Sequence, residues 1–473
     1  MGIYGALTTA VTGLQAQSFA LENISGNIAN SQTTAFKRTD TSFVDYVVEN
    51  SPKRQKSGIV SAFSRQTNDV QGDILASSTS TSMAINGDGF FQVEKLFDFS
   101  DAQPVFNGEN FYTRRGDFQV DRFGYLVNGG GFYLKGLPVD RISGNVSGTV
   151  PEVIKIPNDF LGAKQTSEVS IRANVPADPR TVFSGQSGGD EFIADALNGA
   201  DAIQFGDMDD FLESSIAGGA ITVFNENGAP INVQMRWAQL DPAISAPPTA
   251  GQTQWVAYYQ ELNPDDAGAA TDVIWRALPN NGGGGPGTRE VFTFDVNGSL
   301  NTDDTYTAGG PNYIDMATLT VDGQTIPNMR FNFGETGLTS YADPSGAYQA
   351  TELEQNGYPA GELVDVEISD LNRIRANYSN GISIDVAEIP LVSFNSENNL
   401  RALDGGGYAK TNESGNPIQG ANASIIGASL EASNTDIADE FSKLIVTQQA
   451  YSANTRIVSS ADEMMQETLN MKR

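Results

Sequence analysis

The sequence predicts a mainly β protein with α-helical termini. The N- and C-terminal helices are expected to form a coiled coil, with nested barrel-like or sandwich-like β domains inserted between them. Apolar residues recur every seven positions at both ends of the chain, which is typical of a coiled-coil seam. Short apolar runs separated by Asn-Gly and Asp-Gly turns fill the interior. The 49 Gly and 20 Pro in 473 residues indicate many turns, and this length suits about three domains.

The C-terminal region predicts one helix of about 35 residues. Asn434 and Thr435 are suited to cap its first amides, and Asp436 and Asp439 follow where the helix dipole favours negative charge. The apolar residues form a narrow stripe at heptad spacing. We predict that this stripe contains Leu430, Ile437, Phe441, Leu444, Tyr451, Val458 and Met465.

The N-terminal region offers a matching helix. Glu22 is the single ionised side chain before Lys37, so the surface of this helix carries little charge. Two interpretations remain open: the helices could pair within one chain and hold its ends together, or they could be buried against other copies. The uncharged surface favours the second. The predicted contact residues are Leu7, Val11, Leu14, Leu21, Ile24 and Ile28.

Strand patterns flank the middle of the chain on both sides. Met83 and Ile85 lead into Asn86-Gly87 and then Phe91, which predicts a hairpin. A second hairpin is predicted around the turn at 121–124, and a third turn at 379–381 separates two apolar runs. These two regions are expected to pair in one β domain, because a surface loop tolerates an inserted module.

Residues 151–360 predict a separate, acidic β domain. Turn signals at Asn227-Gly228, Asn297-Gly298 and Asp322-Gly323 separate short apolar runs, and all three tryptophans lie here. The region holds 28 Asp plus Glu against 8 Lys plus Arg, a net charge of 8 − 28 = −20 out of the chain's −30. Such excess charge must face solvent. A glycine-rich loop at 282–287 could separate two subdomains.

The predicted domain organisation is nested, so that each N-terminal layer has a C-terminal counterpart. The terminal helical domain contains residues 1–30 and 431–473. An extended connector rich in Ser, Thr, Gln and Asn covers residues 31–82. The inner β domain contains residues 83–150 and 361–430, and the outer acidic domain contains residues 151–360.

Composition argues against catalysis and metal binding. The chain has no Cys and no His, which removes thiol nucleophiles, imidazole bases and the usual zinc ligands. Its acidic clusters, such as Asp207, Asp209 and Asp210, lack the spacing of a calcium loop. A net charge of −30 disfavours nucleic acid. We therefore expect no enzyme activity, no catalytic or metal site, no cofactor and no nucleic-acid or small-molecule partner.

Three stretches carry a family resemblance. Residues 23–38 read NISGNIANSQTTAFKR, residues 113–118 read TRRGDF, and the chain ends LNMKR after LEASNTD at 430–436. These closely resemble the motifs of the bacterial flagellar rod, hook and hook-associated proteins. The N-terminal motif residues are Asn27, Ala29, Asn30, Thr33, Thr34, Phe36 and Lys37.

The resemblance implies a structural subunit of the flagellar hook, because the distal rod proteins of this family are shorter. Such subunits polymerise into a curved, flexible tube that acts as a universal joint and transmits torque from rod to filament. The implied partners are other copies of the chain, the rod, hook cap and hook–filament junction proteins, and the type III export apparatus. The implied location is extracellular, in the hook and basal body.

Two further expectations concern export and alternatives. The absence of a basic residue before Lys37 disfavours a cleaved secretory signal, and polar residues such as Thr8 and Gln15 interrupt any membrane span.

A distal rod or hook–filament junction protein remains an alternative, since it would share the terminal helices. A secreted β-rich enzyme or adhesin is an alternative of another class, and it would need neither heptad terminus.

Overall fold

Long helices lie at the two ends of the chain, and most of the ordered structure between them is β. This computed structural model describes residues 3–51, 54–100, 103–140, 143–157, 159–186, 191–244, 250–280, 289–301, 313–334, 337–369 and 371–471. The predicted mainly β fold with a helix at each end is confirmed. Contacts divide the chain into a first unit, residues 1–159 with 363–473, and a second unit, residues 160–362.

The described residues contain three α-helices: α1 (Ile3–Ala29), α2 (Met208–Glu213) and α3 (Ile437–Asn470). The α3 helix begins later than predicted, because the carboxylate of Asp436 accepts from the backbone N–H groups of Ala438 (2.8 Å) and Asp439 (3.2 Å). Asn434 and Thr435 precede this cap. No helix in the described ranges is both long enough and apolar enough to cross a membrane.

The stretch predicted as a connector, residues 31–82, contains a long antiparallel hairpin. Its strands are β1 (Thr39–Ser51) and β2 (Arg54–Gln66), with Thr39 opposite Gln66. The hairpin lies against α1, where the side-chain amide of Asn23 donates to the hydroxyl of Thr41 at 2.9 Å. Both strands contain β-branched and aromatic residues, such as Val44 and Tyr46 in β1 and Ile59 in β2, and these favour strand structure.

In the first unit, one large sheet interleaves strands from the N-terminal and C-terminal halves of the chain. The sheet runs in the order β23-β24-β25-β10-β5-β7-β28-β27. The strands of this unit before the second unit are β3 (Ile74–Ala76), β4 (Met83–Gly87), β5 (Phe90–Ser100), β6 (Gln103–Phe106), β7 (Phe111–Thr113), β8 (Gln119–Val120), β9 (Leu126–Val127), β10 (Phe132–Pro138) and β11 (Glu152–Val153). Those after it are β23 (Leu363–Ile368), β24 (Arg373–Tyr378), β25 (Ser383–Glu388), β26 (Leu391–Ser393), β27 (Arg401–Leu403), β28 (Gly407–Ala409), β29 (Ile418–Gln419), β30 (Ala423–Gly427) and β31 (Ser429–Glu431).

One predicted hairpin is wrong and another is confirmed. The turn after β4 exists, yet β4 pairs with β30, with Ile85 opposite Ile425, and not with β5. Ile85 and Ile425 are both buried in the core of the first unit, so a long-range apolar contact overrides the local turn. The predicted hairpin around 121–124 is present, because β8 pairs with β9.

The first unit extends beyond the predicted boundary at residue 150. Strand β11 pairs with β10. Ile154 and Ile156 then join the buried core that also contains Phe91 and Leu134. The unit therefore reaches Asp159. The four-part division of the chain otherwise stays a prediction.

The second unit contains two sheets that share a core. One has the order β19-β20-β12-β21 with β22 on β12, and the other has the order β13-β17-β16-β15-β14 with β18 on β16. Trp237 and Trp255 lie in the shared core, while Trp275 packs with Phe211 of α2. The strands are β12 (Glu168–Asn174), β13 (Ala202–Gln204), β14 (Ile216–Phe224), β15 (Pro230–Gln239), β16 (Thr253–Gln260), β17 (Val273–Ala277), β18 (Phe292–Phe294), β19 (Tyr313–Val321), β20 (Gln324–Asn332), β21 (Leu338–Thr339) and β22 (Gln349–Gln355).

The predicted turns of the second unit are present. Strands β19 and β20 meet at Asp322 and Gly323, whose φ angles are 47° and 74°. Positive φ at both central residues matches the right-handed twist of the flanking strands, which explains the Asp-Gly pair. The glycine-rich loop at 282–287 lies outside the described residues, and the possible division into two subdomains stays a prediction.

Candidate assembly core

The terminal helices pack side by side in opposite directions. Near one end of the contact, the side-chain amide of Asn27 donates to Glu440 Oε2 at 3.0 Å. Further along, a Cβ placed on Gly13 would lie 3.0 Å from Nδ2 of Asn454. A step back along α1 therefore corresponds to a step forward along α3, so the pair is antiparallel. Supercoiling of the pair stays a prediction.

Small residues dominate the buried face of α1. The buried positions are Ala10, Ala16, Ala20, Ile24 and Asn27. Of the predicted contact residues on this helix, Ile24 is thus buried, and Val11 is exposed. Leu7, Leu14, Leu21 and Ile28 are partly exposed and flank the buried stripe. Alanines let the helix approach its neighbours closely, which the longer leucine side chains would prevent.

The buried face of α3 is a narrow stripe that is partly polar. Glu440, Thr447 and Ala461 are buried. The predicted residues Leu444, Val458 and Met465 are partly buried, whereas Ile437, Phe441 and Tyr451 are exposed. Leu430 lies in β31 and not on the helix, so its place in the predicted helical stripe is wrong. It pairs there with Leu75 of β3, and this strand pairing ends before the cap at Asp436.

On α3, a set of large apolar side chains stays uncovered by the described residues of this chain. Seven of its large apolar side chains are between 41% and 65% exposed. Exposed apolar side chains in this number are typical of a protein contact site. The side chains are Ile437, Phe441, Ile445, Val446, Tyr451, Ile457 and Met464.

The hairpin that lies against α1 adds further exposed apolar groups. They occur on both strands, and each is exposed by about two-fifths or more. Together with α3, they place much of the uncovered apolar surface of the first unit on elements next to the chain ends. The residues are Phe43, Val44, Tyr46, Ile59 and Phe63.

The N-terminal motif ties α1 to the segments that follow it. Asn27 is buried, accepts from the backbone N–H of Thr39 at 2.9 Å and donates to the Thr39 carbonyl at 3.0 Å. The hydroxyl of Thr33 donates to the side-chain oxygen of Asn30 at 3.1 Å, and the Asn30 amide donates to the carbonyl of Gly26 at 2.9 Å. These bonds end the helix and fix the direction of the outgoing chain.

The remaining motif residues lie in less buried positions. Ala29 is exposed, and Thr34 and Phe36 are partly buried beside a cleft that Tyr408 also lines. The backbone of this segment is bonded to the C-terminal segment, since the N–H of Ala35 donates to the carbonyl of Glu431 at 2.8 Å. The motif therefore joins the two ends of the chain.

Three buried charges meet where these segments join the β core. Nζ of Lys37 lies 2.6 Å from Oε1 of Glu431, and Nη1 of Arg114 lies 3.6 Å from Oε2 of the same carboxylate. The side chains of all three are at most 1% exposed. Burial lowers the pKa of Lys37 against the opposing effect of Glu431. We call Lys37, Arg114 and Glu431 the junction cluster.

Asn434 closes the same junction from the other side. Its side-chain oxygen accepts from the backbone N–H of Arg38 at 2.8 Å, and its amide donates to the carbonyls of Thr67 and Val70 at 3.2 and 3.1 Å. The predicted helix-capping residue thus binds three backbone groups in two other segments.

Sequence reasoning singled out Lys37 but not its partners. Arg114 and Glu431 both lie in the stretches that resemble the flagellar proteins, as does the carboxylate-binding Asn27. The sequence did offer one signal for Arg114 and Glu431, since each is a charged residue within a motif made mostly of small and polar residues. Their partnership depends on contacts between residues more than 70 positions apart, which the sequence pattern does not reveal.

The described side chains form no group of three or more Asp, Glu, His or Cys that could hold a metal ion. The predicted acidic turn at Asp207, Asp209 and Asp210 is exposed at the start of α2. The contacts described above give the first unit exposed apolar side chains on α3 and on the hairpin, and a buried structural junction.

Three models of flagellar protein domains match parts of this chain. Residues 84–174 match the flagellar hook protein FlgE/F/G D1 domain, residues 210–358 match the flagellar basal body protein FlaE D2 domain, and residues 427–471 match the flagellar basal body rod FlgEFG protein C-terminal domain. The flagellar hook protein FlgE of Caulobacter vibrioides is 26% identical, with all of both chains covered. That of Salmonella typhimurium is also 26% identical, with 99% of this chain and all of the relative covered.

The chain belongs to the flagellar hook protein FlgE family. Its helix α3 and Glu431 fall in the matched C-terminal domain, and Arg114 falls in the matched D1 domain. A solved structure, the Helicobacter pylori flagellar hook protein FlgE2, aligns with 76% of this chain and all of that one at 16% identity and a TM-score of 0.49.

Proposed function

We propose that this chain, a structural subunit of the hook family, polymerises through its terminal helices into a curved, flexible tube. The tube acts as a universal joint and transmits torque from the rod to the filament. Head-to-tail contacts that do not close into a ring generate such a helical filament. The mechanism needs no catalytic group.

The observation that carries the proposal is the uncovered apolar surface of α3. Burying a large apolar side chain contributes about 1.5–3 kcal/mol, so leaving seven of them in water is unfavourable for a lone molecule. A second copy that presents the same helices would cover them. The intrachain contact of α3 uses a different and more polar stripe, so both contacts can exist together.

The acidic unit is proposed to make the looser contacts. Residues 160–362 hold 27 Asp plus Glu against 7 Lys plus Arg, a net charge of 7 − 27 = −20. Like charges on neighbouring copies repel and keep water between them. Wet, polar contacts slide more easily than packed apolar ones, as a bending tube requires.

The remaining partners are proposed from family membership. The rod, hook cap and hook–filament junction proteins would contact the two ends of the tube, and the type III export apparatus would carry the unfolded chain without cleaving a signal. The protein would then lie outside the cell, in the hook of the flagellum.

Electron microscopy of the purified chain under salting-out conditions tests the proposal. Curved tubes are expected from the full chain, and no tubes from a version that lacks residues 1–30 and 431–473. Short rings or straight segments would instead favour the junction or rod alternative. Tubes formed by the truncated version would contradict assembly through the helices.

A point variant gives a sharper form of the same test. Replacing Phe441 and Ile457 with serine should suppress tube formation while leaving the circular dichroism spectrum unchanged, because both side chains face solvent in the single chain. Val364→Ser is the matched control, since Val364 is 68% exposed and belongs to β23, not to a helix. Equal suppression by both changes would show a general effect of lost apolar surface.

A further inference from the structure

The junction cluster draws on three distant parts of the chain. Lys37 follows α1, Arg114 follows β7, and Glu431 ends β31 shortly before α3. Both helices of the assembly core are therefore attached, through short segments, to a single buried carboxylate in the β region.

Each member of the cluster also binds backbone from a further segment. Nζ of Lys37 donates to the carbonyl of Val70 at 2.6 Å, and the backbone N–H of Gly72 donates to Oε1 of Glu431 at 2.9 Å. Nη2 of Arg114 donates to the carbonyl of Gly87 at 2.9 Å. These are directional bonds, so they fix how the segments are oriented and not only that they touch.

The segments are also in direct backbone contact. A Cβ added to Gly72 would lie 2.1 Å from the carbonyl oxygen of Ala432, which is too close for any side chain to fit. The guanidinium of Arg114 lies 5.3 Å from the centre of the Phe90 ring, which fixes its plane. The cluster therefore sits in a region with little room for alternative arrangements.

Stability alone does not account for this cluster. Moving charges out of water is costly, and apolar residues of similar volume often give equal or greater stability. Among the described residues, Nε and Nη1 of Arg114 and Oε2 of Glu431 have no hydrogen-bond partner, so the desolvation is only partly offset. A buried charge cluster of this kind is better suited to selecting one arrangement of segments than to raising the free energy of unfolding.

We propose that Lys37, Arg114 and Glu431 are positioning residues, which set the direction in which the helix pair leaves the β region and thereby make it competent to dock with another copy. The inference rests on the proposed function, because it assigns to the cluster a role in polymerisation through the helices. Without the cluster, the chain folds but holds its helices in several directions, and only a minority of molecules can join a tube.

The test compares folding with assembly in a triple variant, Lys37→Met, Arg114→Met and Glu431→Leu. The variant should retain the wild-type circular dichroism spectrum and unfold in a single cooperative transition. Its seeded elongation on wild-type tubes should fall by about tenfold or more, as expected when the competent orientation becomes a minority state. Wild-type elongation by a folded triple variant would overturn the proposal.

A matched control removes another buried ion pair from the same unit. Nζ of Lys135 on β10 lies 3.0 Å from Oε2 of Glu94 on β5, and both side chains are at most 7% exposed. Lys135→Met with Glu94→Leu should leave elongation unchanged. Equal slowing by this variant would mean that any change in the buried charges of the unit disturbs assembly, and it would overturn the specific role of the junction cluster.

A conservative variant keeps the test decisive if the triple variant fails to fold. Glu431→Gln preserves the size of the side chain and its acceptor oxygen but removes the charge that Lys37 and Arg114 share. It should fold and elongate several-fold more slowly than wild type. A folded Glu431→Gln variant with wild-type elongation would overturn the proposal. Failure of the wild-type chain to form tubes would instead count against the proposed function.

Discussion

Glu290 is a carboxyl group buried in the second unit, 1% exposed, and neither of its oxygens has a hydrogen-bond partner among the described residues. Burial disfavours the charged form and raises the pKa of Glu290 to about 8. Between the ordinary carboxyl pKa of 4.5 and this value, the folded state binds a proton that the unfolded state has released. The contribution of Glu290 to stability is therefore complete below pH 4.5 and is lost as the pH rises through 8.

The corresponding prediction is that Glu290→Gln stabilises the second unit at pH 9 and changes its stability little at pH 4. The neutral amide removes the cost of burying a carboxylate at high pH. Urea unfolding followed by tryptophan fluorescence measures this unit, since all three tryptophans lie in it. Glu226→Gln is the control, because Glu226 is exposed and its replacement should have the same small effect at both pH values.

Asn27 shows the opposite case of a buried polar group whose bonds are all made. It joins α1 to Glu440 of α3 and to both backbone groups of Thr39. Asn27→Ala should lower the free energy of unfolding by about 1–3 kcal/mol, because the partners are left buried without bonds. Thermal unfolding followed by circular dichroism at 222 nm measures the change. Ser25→Ala, at an exposed position of the same helix, should leave stability nearly unchanged.

At the scale of the element, the helix pair depends on small side chains. Ala20 is 3% exposed and lies on the buried face of α1. Ala20→Leu should lower the free energy of unfolding by about 1–3 kcal/mol, because the added carbons have no space. The change should also reduce tube formation. Ser18→Leu adds a similar side chain at an exposed position, and destabilisation by that control would contradict the assignment of the buried face.

The same helices show how far periodicity predicts structure. Heptad spacing of Leu7, Leu14 and Leu21 predicts a helix correctly, because a period near 3.6 residues reflects backbone geometry. It does not identify the buried face, which consists of alanines next to the leucines. Which stripe faces inward depends on the shape of the neighbouring helix and hairpin. The leucines flank that face and are partly exposed.

The strands give a similar contrast. The turn at Asp322-Gly323 was predictable, since the positive φ angles needed there favour those residue types. The pairing of β4 with β30 was not, because it joins residues more than 300 positions apart through the contact of Ile85 with Ile425. The residues of a turn carry no information about a strand partner so far away in the sequence.

At the scale of the whole molecule, charge is distributed unevenly. The second unit carries −20 of the total −30. The proposed tube would bring these charges close to one another, and salt screens such repulsion over about 10 Å at 0.1 M ionic strength. Assembly should therefore need salt.

The prediction is that replacing Asp207, Asp209 and Asp210 with asparagine lowers the salt concentration at which tubes form. All three are exposed, and the change reduces the net charge of the unit from −20 to −20 + 3 = −17. Turbidity and electron microscopy across a salt series measure the effect. Replacement by glutamate keeps the charge and should leave the threshold where it is; an equal shift in both variants would exclude electrostatic repulsion as the cause.

The sequence by itself determined the helical ends, the turn positions, the acidic middle and the membership of the flagellar hook family. These depend on local backbone preferences, on composition and on short motifs, all of which can be read along the chain. The tertiary structure decided which helix face is buried, which strands pair and that Lys37, Arg114 and Glu431 share one buried site. Those features depend on contacts between residues that are distant in the sequence, and such contacts contribute to stability only when the chain has folded.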